Sequence, residues 1–214
     1  MPKPLSRPSL LDALAHSAVQ RALAAINNQA LPAPCLLVDA TAGNGHDTCF
    51  LAALAHSATP QAVQVHSFDV QQAALDATAA RLAAQGLGHG VHLHHAGHEQ
   101  AGQLLPALPL VAAVFNLGYL PSGDKHIVTM PASTLAAIEA LLPKLADQGV
   151  VSLHYYTGHA GGAAEAEAVL AYAATLPAQG WRVVNCHDAN RERASEGLVL
   201  LEKLPRKAAA RATG

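Results

Sequence analysis

Four stretches of the chain place chemistry-bearing side chains just after apolar runs. The first is VDATAGNGHDT, residues 38–48. An acid closes the run at Asp39. Gly43 and Gly45, with Asn44 between them, then allow a tight turn and a close approach of backbone to a ligand. A helix predicted from His46 turns its free N–H groups toward the same point. Asp47 in its first turn would repel a pyrophosphate and suits a ligand carrying a positive amine; the plain alternative is a capping acid. Thr48 stands where the last glycine of GxGxxG belongs, and no GxxxxGK[ST] is present, so neither phosphate-binding fingerprint applies. The second stretch ends in FDV, with Asp69 placed to take ribose hydroxyls. The third, FNLGYLPSGDK at 115–125, offers Asn116, whose side-chain carbonyl can accept N–H bonds from a target amine. Tyr119 follows as a ring that can stack on a base or simply pack. The fourth, YYTGHAGG, holds His159 among glycines as a base or a turn residue. Between the second and third, HAGHE brings His98 and Glu99, the latter also a candidate helix cap.

These stretches need a scaffold that gathers strand ends. The periodicity predicts helices at 9–28, 46–58, 71–86, 131–146 and 161–176. It predicts strands at 35–40, 62–70, 91–97, 110–121, 148–158, 181–189 and 197–204. Ser9 with Asp12 three residues on reads as a helix start. CLLVDA and LVAAVFN are continuous apolar runs, as expected of strands buried on both faces. Alternating strands and helices imply α/β, a mostly parallel seven-stranded sheet with helices on both faces. The last two strands are expected to form an antiparallel edge hairpin. Ligands of such sheets sit beyond the carboxyl ends of the strands. A ribose and an ammonium without phosphate describe S-adenosyl-L-methionine better than NAD or ATP.

Composition narrows the classes. The chain has 214 residues, 51% hydrophobic and 13% charged, which excludes a disordered polymer. Its formal charge of −2 provides no basic carpet, so any RNA contact must be a local patch. No run approaches the roughly 20 apolar residues that span a bilayer, and no membrane association is expected. MPKPLSRPSL lacks the apolar core of a secretion signal. Three widely spaced cysteines without CxxC fit a reducing compartment, so a cytoplasmic location is expected. Thirteen histidines form no HExxH, and no metal is expected.

In this order, VDATAGNGHDT, FDV, GHE, FNLGYLPSGDK and YYTGHAGG resemble the rRNA methyltransferase family, over roughly 36–204. Its characterised members methylate the 5-aminomethyl group of the wobble 2-thiouridine in tRNA. The resemblance implies a Rossmann-like class I methyltransferase using S-adenosyl-L-methionine, with the tRNA anticodon loop as substrate. Gly43, Asn44, Gly45 and Asp47 would face the methionine part, with Thr48 beside them. Asp69 and Gln71 would face the ribose, and His98 and Glu99 the adenine. Asn116 would face the transfer point, with Tyr119 stacking and Asp124 or His159 as candidate bases. Lys125, Arg191 and Arg193 are candidate phosphate contacts. Methyltransferases acting on amino nitrogens commonly carry two prolines after this Asn; here Leu117 and Gly118 stand in their place. A second departure is CHDANRERASEG at 186–197, which lacks the family's prolines. The chain divides into an N-terminal helix and lead-in at 1–35, the methyltransferase domain at 36–204, and a basic tail at 205–214. The alternatives are a methyltransferase of rRNA or of a small-molecule amine, and a non-catalytic nucleotide-binding module. Oligomeric state is open, a homodimer being one option.

Overall fold

The computed structural model describes residues 9–27, 34–58, 63–118, 128–190 and 195–205. Helix α1 (Leu10–Asn27) starts as expected: the Ser9 N–H donates to Asp12 Oδ2 at 2.9 Å, and the Asp12 N–H donates to Ser9 Oγ at 3.1 Å. Strand β1 (Cys35–Asp39) is buried throughout and leads through the glycine turn into α2 (His46–Ala58). Then come β2 (Val63–Asp69), α3 (Gln72–Gln85) and β3 (Val91–His95). Gly86 ends α3 in a left-handed conformation, with the Leu87 N–H reaching back to the Leu82 carbonyl. A 3-10 turn at His98–Gln100 runs into a short helix, α4 (Ala101–Leu104), which the periodicity did not predict. Next follow β4 (Leu110–Asn116), α5 (Pro131–Leu141), β5 (Leu145–Tyr156), α6 (Gly162–Thr175), β6 (Trp181–His187) and β7 (Glu196–Lys203).

Helix α5 is shorter than the predicted 131–146. Pro143 has no N–H to continue the ladder, so Leu142–Lys144 tightens to a 3-10 turn and β5 begins at Leu145.

The strands form one sheet in the order β3-β2-β1-β4-β5-β7-β6. The first five are parallel, and β7 lies antiparallel between β5 and β6. The expected closing hairpin is therefore present, with β6 outermost. The order reverses at β1, whose neighbours are β2 and β4, so their carboxyl ends open a crevice there.

Alternate residues of β4 divide the core. Ala113 and Phe115 pack with α5 and α6 residues such as Ile138 and Val169. Ala112 and Val114 pack with Val19, Ala22, Leu23 and Ile26 of α1, and with Leu51 of α2. The N-terminal helix set apart in the sequence is thus built into the sheet's core. Three of the histidines also gather: His66 Nδ1 lies 2.9 Å from His94 Nε2 and its ring stacks on His92. Burial, aided by those neighbouring rings, holds His66 down to about 4.

Candidate active site

The crevice is a cavity of about 1060 Å³, lined by described residues after β1, β2, β3, β4 and β5 and by two side chains of α1. That is at the upper end of the roughly 300–1,000 Å³ of small-molecule sites.

The glycine turn is held from below and behind. Asp39 is fully buried; it accepts the Thr48 hydroxyl at 2.6 Å and the Thr41 N–H at 3.1 Å. Burial, with the charges of Asp47 and Asp69 nearby, pushes its carboxyl up to about 7. From α3, Arg81 Nε donates to the Asn44 carbonyl at 2.7 Å and the Thr78 hydroxyl to the Gly43 carbonyl at 3.2 Å. Gly45 has φ +76°, and a Cβ there would lie 2.8 Å from Thr78 Cα, so both conformation and space demand glycine. The expectation for Thr48 is corrected here. Its side chain is fully buried and its hydroxyl is spent on Asp39 and Ser67, so it supports the turn without lining the cavity.

Asp69 lines the cavity at the end of β2 and accepts the N–H groups of Gly43 and Gln71, each at 2.9 Å. One carboxylate thereby ties the glycine turn to the start of α3. Gln71 and Glu99 also line the cavity. His98 is 7% exposed, packs edge-on against Phe115, and places Nδ1 3.3 Å from the Ala40 carbonyl. A carbonyl only accepts, so Nδ1 carries the proton. Burial lowers the ring below its ordinary value and keeps it neutral, leaving a lone pair on Nε2. That buried atom has no hydrogen-bond partner among the described residues.

Asn116 ends β4 on the same wall. Its N–H donates to Thr41 Oγ1 at 2.7 Å and its Nδ2 to Asp47 Oδ2 at 2.6 Å. Asp47 Oδ1 in turn lies 2.6 Å from His16 Nε2 of α1. Asp47, expected to face an ammonium, thus has a contact on each oxygen within the protein. His159 lines the cavity beside Asn116 and Gly118. A Cβ on Gly118, which has φ +141°, would stand 3.2 Å from His159 Nε2, so a side chain there would be strained and would crowd the His159 ring. Tyr119, Asp124, Lys125, Arg191 and Arg193 lie outside the described residues.

Sequence reading missed what α1 brings. Asp12 and His16, one turn apart, both line the cavity. Asp12 Oδ1 lies 3.2 Å from His154 Nδ1, and Glu196 Oε2 lies 3.2 Å from His154 Nε2. The hydrogen bond from His154 is the main reason the Asp12 carboxyl falls from 3.8 to about 2. A folded value below the unfolded one contributes stability above about pH 4, lost as pH falls toward 2. Asp12→Asn, which retains the cap, should therefore lower Tm by a few degrees at pH 7. The difference from wild type should shrink between pH 4 and pH 2. An equal Tm deficit at both ends of a pH series would dismiss the charge as its cause.

The family described as "Putative rRNA methylase" matches residues 65–202, well over half of the chain. The chain belongs to this family. Among solved structures, one of the same description from Clostridium thermocellum superposes with a TM-score of 0.79 at 29% identity, covering 92% of this chain and 100% of the other. Another, from Streptococcus mutans in complex with S-adenosylhomocysteine (SAH), gives a TM-score of 0.75 at 32% identity, covering 92% of this chain and 100% of that one. The fold is the Rossmann-like class I methyltransferase fold anticipated from the motifs. A curated relative, the chloroplastic tRNA (mnm(5)s(2)U34)-methyltransferase of Arabidopsis thaliana, is 37% identical over 151 residues, or 68% of this chain. The chain spans 55% of that relative's length. No helix among the described residues is long and apolar enough to cross a membrane.

Proposed function

We propose that this protein is an S-adenosyl-L-methionine-dependent N-methyltransferase whose substrate is the aminomethyl group of 5-aminomethyl-2-thiouridine at the tRNA wobble position. One observation carries the reading: a single cavity joins a nucleoside-type wall, Asp69, Gln71 and His98, to Asn116. The Arabidopsis relative and the Streptococcus structure, by what they act on and bind, support it.

The residues present fit the cofactor. His98 Nε2 is a buried acceptor without a partner among the described residues, which complements the exocyclic amine of adenine. Asp69, although it already accepts two N–H bonds, has remaining acceptor capacity for ribose hydroxyls. Gly43, Asn44 and Gly45 would hold the methionine part, and Glu99 would lie on the adenine side. When bound, the sulfonium supplies an electrophilic methyl group.

The chain's own task is to present a neutral amine. An alkyl ammonium with an ordinary value near 10.4 is mostly protonated at pH 7 and has no lone pair. Asn116 can accept an N–H bond and aim the lone pair, but it cannot take a proton. A wobble base lies in a single-stranded loop and can be splayed into a pocket without opening a duplex. The substrate reading is tested by digesting tRNA from a deletion strain. Accumulated 5-aminomethyl-2-thiouridine by mass spectrometry is the expected result. An unchanged tRNA nucleoside profile with methyl loss in rRNA would replace the substrate.

The cofactor assignment has its own test. Removing a hydrogen bond from a charged group loses about 1.5–3 kcal/mol, or roughly ten- to hundredfold in affinity. Asp69→Ala should weaken S-adenosyl-L-methionine by that factor in calorimetry. Wild-type affinity in this variant would remove Asp69 from the cofactor site.

A further inference from the structure

Asn116 can show the cavity either its oxygen or its NH2, and only the oxygen can accept a bond from an amine. The choice is made behind it. A carboxylate only accepts, so Asp47 Oδ2 at 2.6 Å must receive Nδ2–H, which turns Oδ1 away from Asp47. Among the described residues no donor meets Oδ1. Asp47 is itself held: its other oxygen takes the Nε2–H of His16 at 2.6 Å. The His16 ring is clamped flat on Phe50 of α2, centroids 3.7 Å apart and planes 10° from parallel. Phe50 follows Asp47 by one helical turn, so α2 fixes both the carboxylate and the ring that steadies it.

The structure assigns His16 and Asp47 the role of positioning residues, which lock the Asn116 amide with Oδ1 toward the acceptor amine. Neither touches the reacting atoms through this contact; each acts through Asn116. Helix α1 is thereby part of the acceptor site, through a pair 31 residues apart in sequence. The role in turnover rests on the methyltransferase reading above; the orientation of the amide does not.

The experiment has two arms on the full chain. In steady-state transfer of labelled methyl from S-adenosyl-L-methionine to tRNA that carries 5-aminomethyl-2-thiouridine at the wobble position, Asp47→Asn should lower kcat by about a hundredfold, the scale of a misplaced reacting group. Cofactor affinity should stay within about threefold of wild type. His16→Ala should lower kcat by roughly tenfold, and His16→Gln, which keeps an N–H donor, should recover part of it. The decisive variant is the exchange Asp47→Asn with Asn116→Asp. It restores an amide donating to a carboxylate and again leaves an oxygen for the amine, so it should exceed Asn116→Asp alone by at least about tenfold. Cofactor affinity falling in step with kcat in Asp47→Asn would move Asp47 to the cofactor and overturn the assignment. So would an exchange no better than the single variants.

The second arm reads the amide directly by NMR. The Asn116 side-chain N–H signals, identified by their loss in Asn116→Asp, should shift in Asp47→Asn and in His16→Ala. Signals unmoved by Asp47→Asn would overturn the positioning, whatever the activity. A wild type that methylates no RNA would instead overturn the functional reading, and the NMR arm would still decide the orientation.

Discussion

Asn116→Ala is expected to lower single-turnover methyl transfer by at least about a hundredfold while leaving calorimetric cofactor affinity near wild type. The side chain sits at the end of β4, on the cavity wall across the sheet's switch point from Asp69 and His98. Its backbone is fixed by Thr41 and its amide by Asp47. What it adds is a single acceptor in a set orientation. Alanine keeps the backbone bond to Thr41 and removes that acceptor. A target amine would then enter without its N–H held and without its lone pair aimed, an entropic loss that falls on turnover. The same substitution leaves Asp47 Oδ2 without its amide donor, in reach of water from the cavity, so folding should suffer little. Affinity and turnover falling together would place Asn116 in the cofactor pocket. A variant within about threefold of wild type would mean that another group orients the amine.

That Asn116 could be singled out from sequence, while His16 could not, has a physical basis. In a parallel sheet every strand delivers its last residue to the same edge. Asp69 and Asn116 therefore converge as soon as β2 and β4 are recognised. Those strands were legible because LVAAVFN is apolar without interruption and FDV ends in an acid. Helix α2 was legible to the residue at both ends, its start marked by Gly45 and Asp47. Thr48 illustrates the limit. It is one position beyond Asp47, and on a helix one position is a rotation of about 100°, enough to turn it from the cavity toward Asp39 and Ser67. Helix α4, four residues long, is too short for any 3.6-residue period to appear. His16 and His154 looked like two of thirteen scattered histidines; their meaning arises only when α1 packs across β4 and β5. Pairings of that kind depend on tertiary packing, on which local spacing is silent.

The largest stability effect is expected at Glu165, an acid in the inward face of α6. It is 1% exposed and shares its helix face with Ala166, Val169 and Ala173 of the core. A carboxylate survives there because two hydroxyls donate to it, Thr129 to Oε2 and Thr134 to Oε1, each at 2.6 Å. Thr129 also accepts the Gly118 N–H at 2.7 Å and donates its own N–H to the Gly118 carbonyl at 2.8 Å. One buried carboxylate thus clasps both ends of the segment that leaves Gly118 after β4 and returns at Thr129 before α5, the segment that carries Tyr119 and Asp124. Glu165→Gln is nearly isosteric yet still disruptive. The amide keeps one acceptor oxygen and puts an NH2 in place of the other, so one of the two buried hydroxyls loses the acceptor for its O–H. Leaving one buried polar group unmatched costs about 1–3 kcal/mol. Glu165→Ala adds a cavity and frees both hydroxyls, for roughly 2–5 kcal/mol. Urea unfolding should show the midpoint falling in that order with an unchanged slope. Thr129→Val combined with Glu165→Gln should be less than additive, because both break one clasp. If residues 119–127 contact the RNA, as proposed from the sequence, the RNA KM should rise in Glu165→Gln at temperatures where the variant is still folded. Strict additivity with Thr129→Val, or a midpoint equal to wild type, would show that Glu165 and Thr129 do not act together.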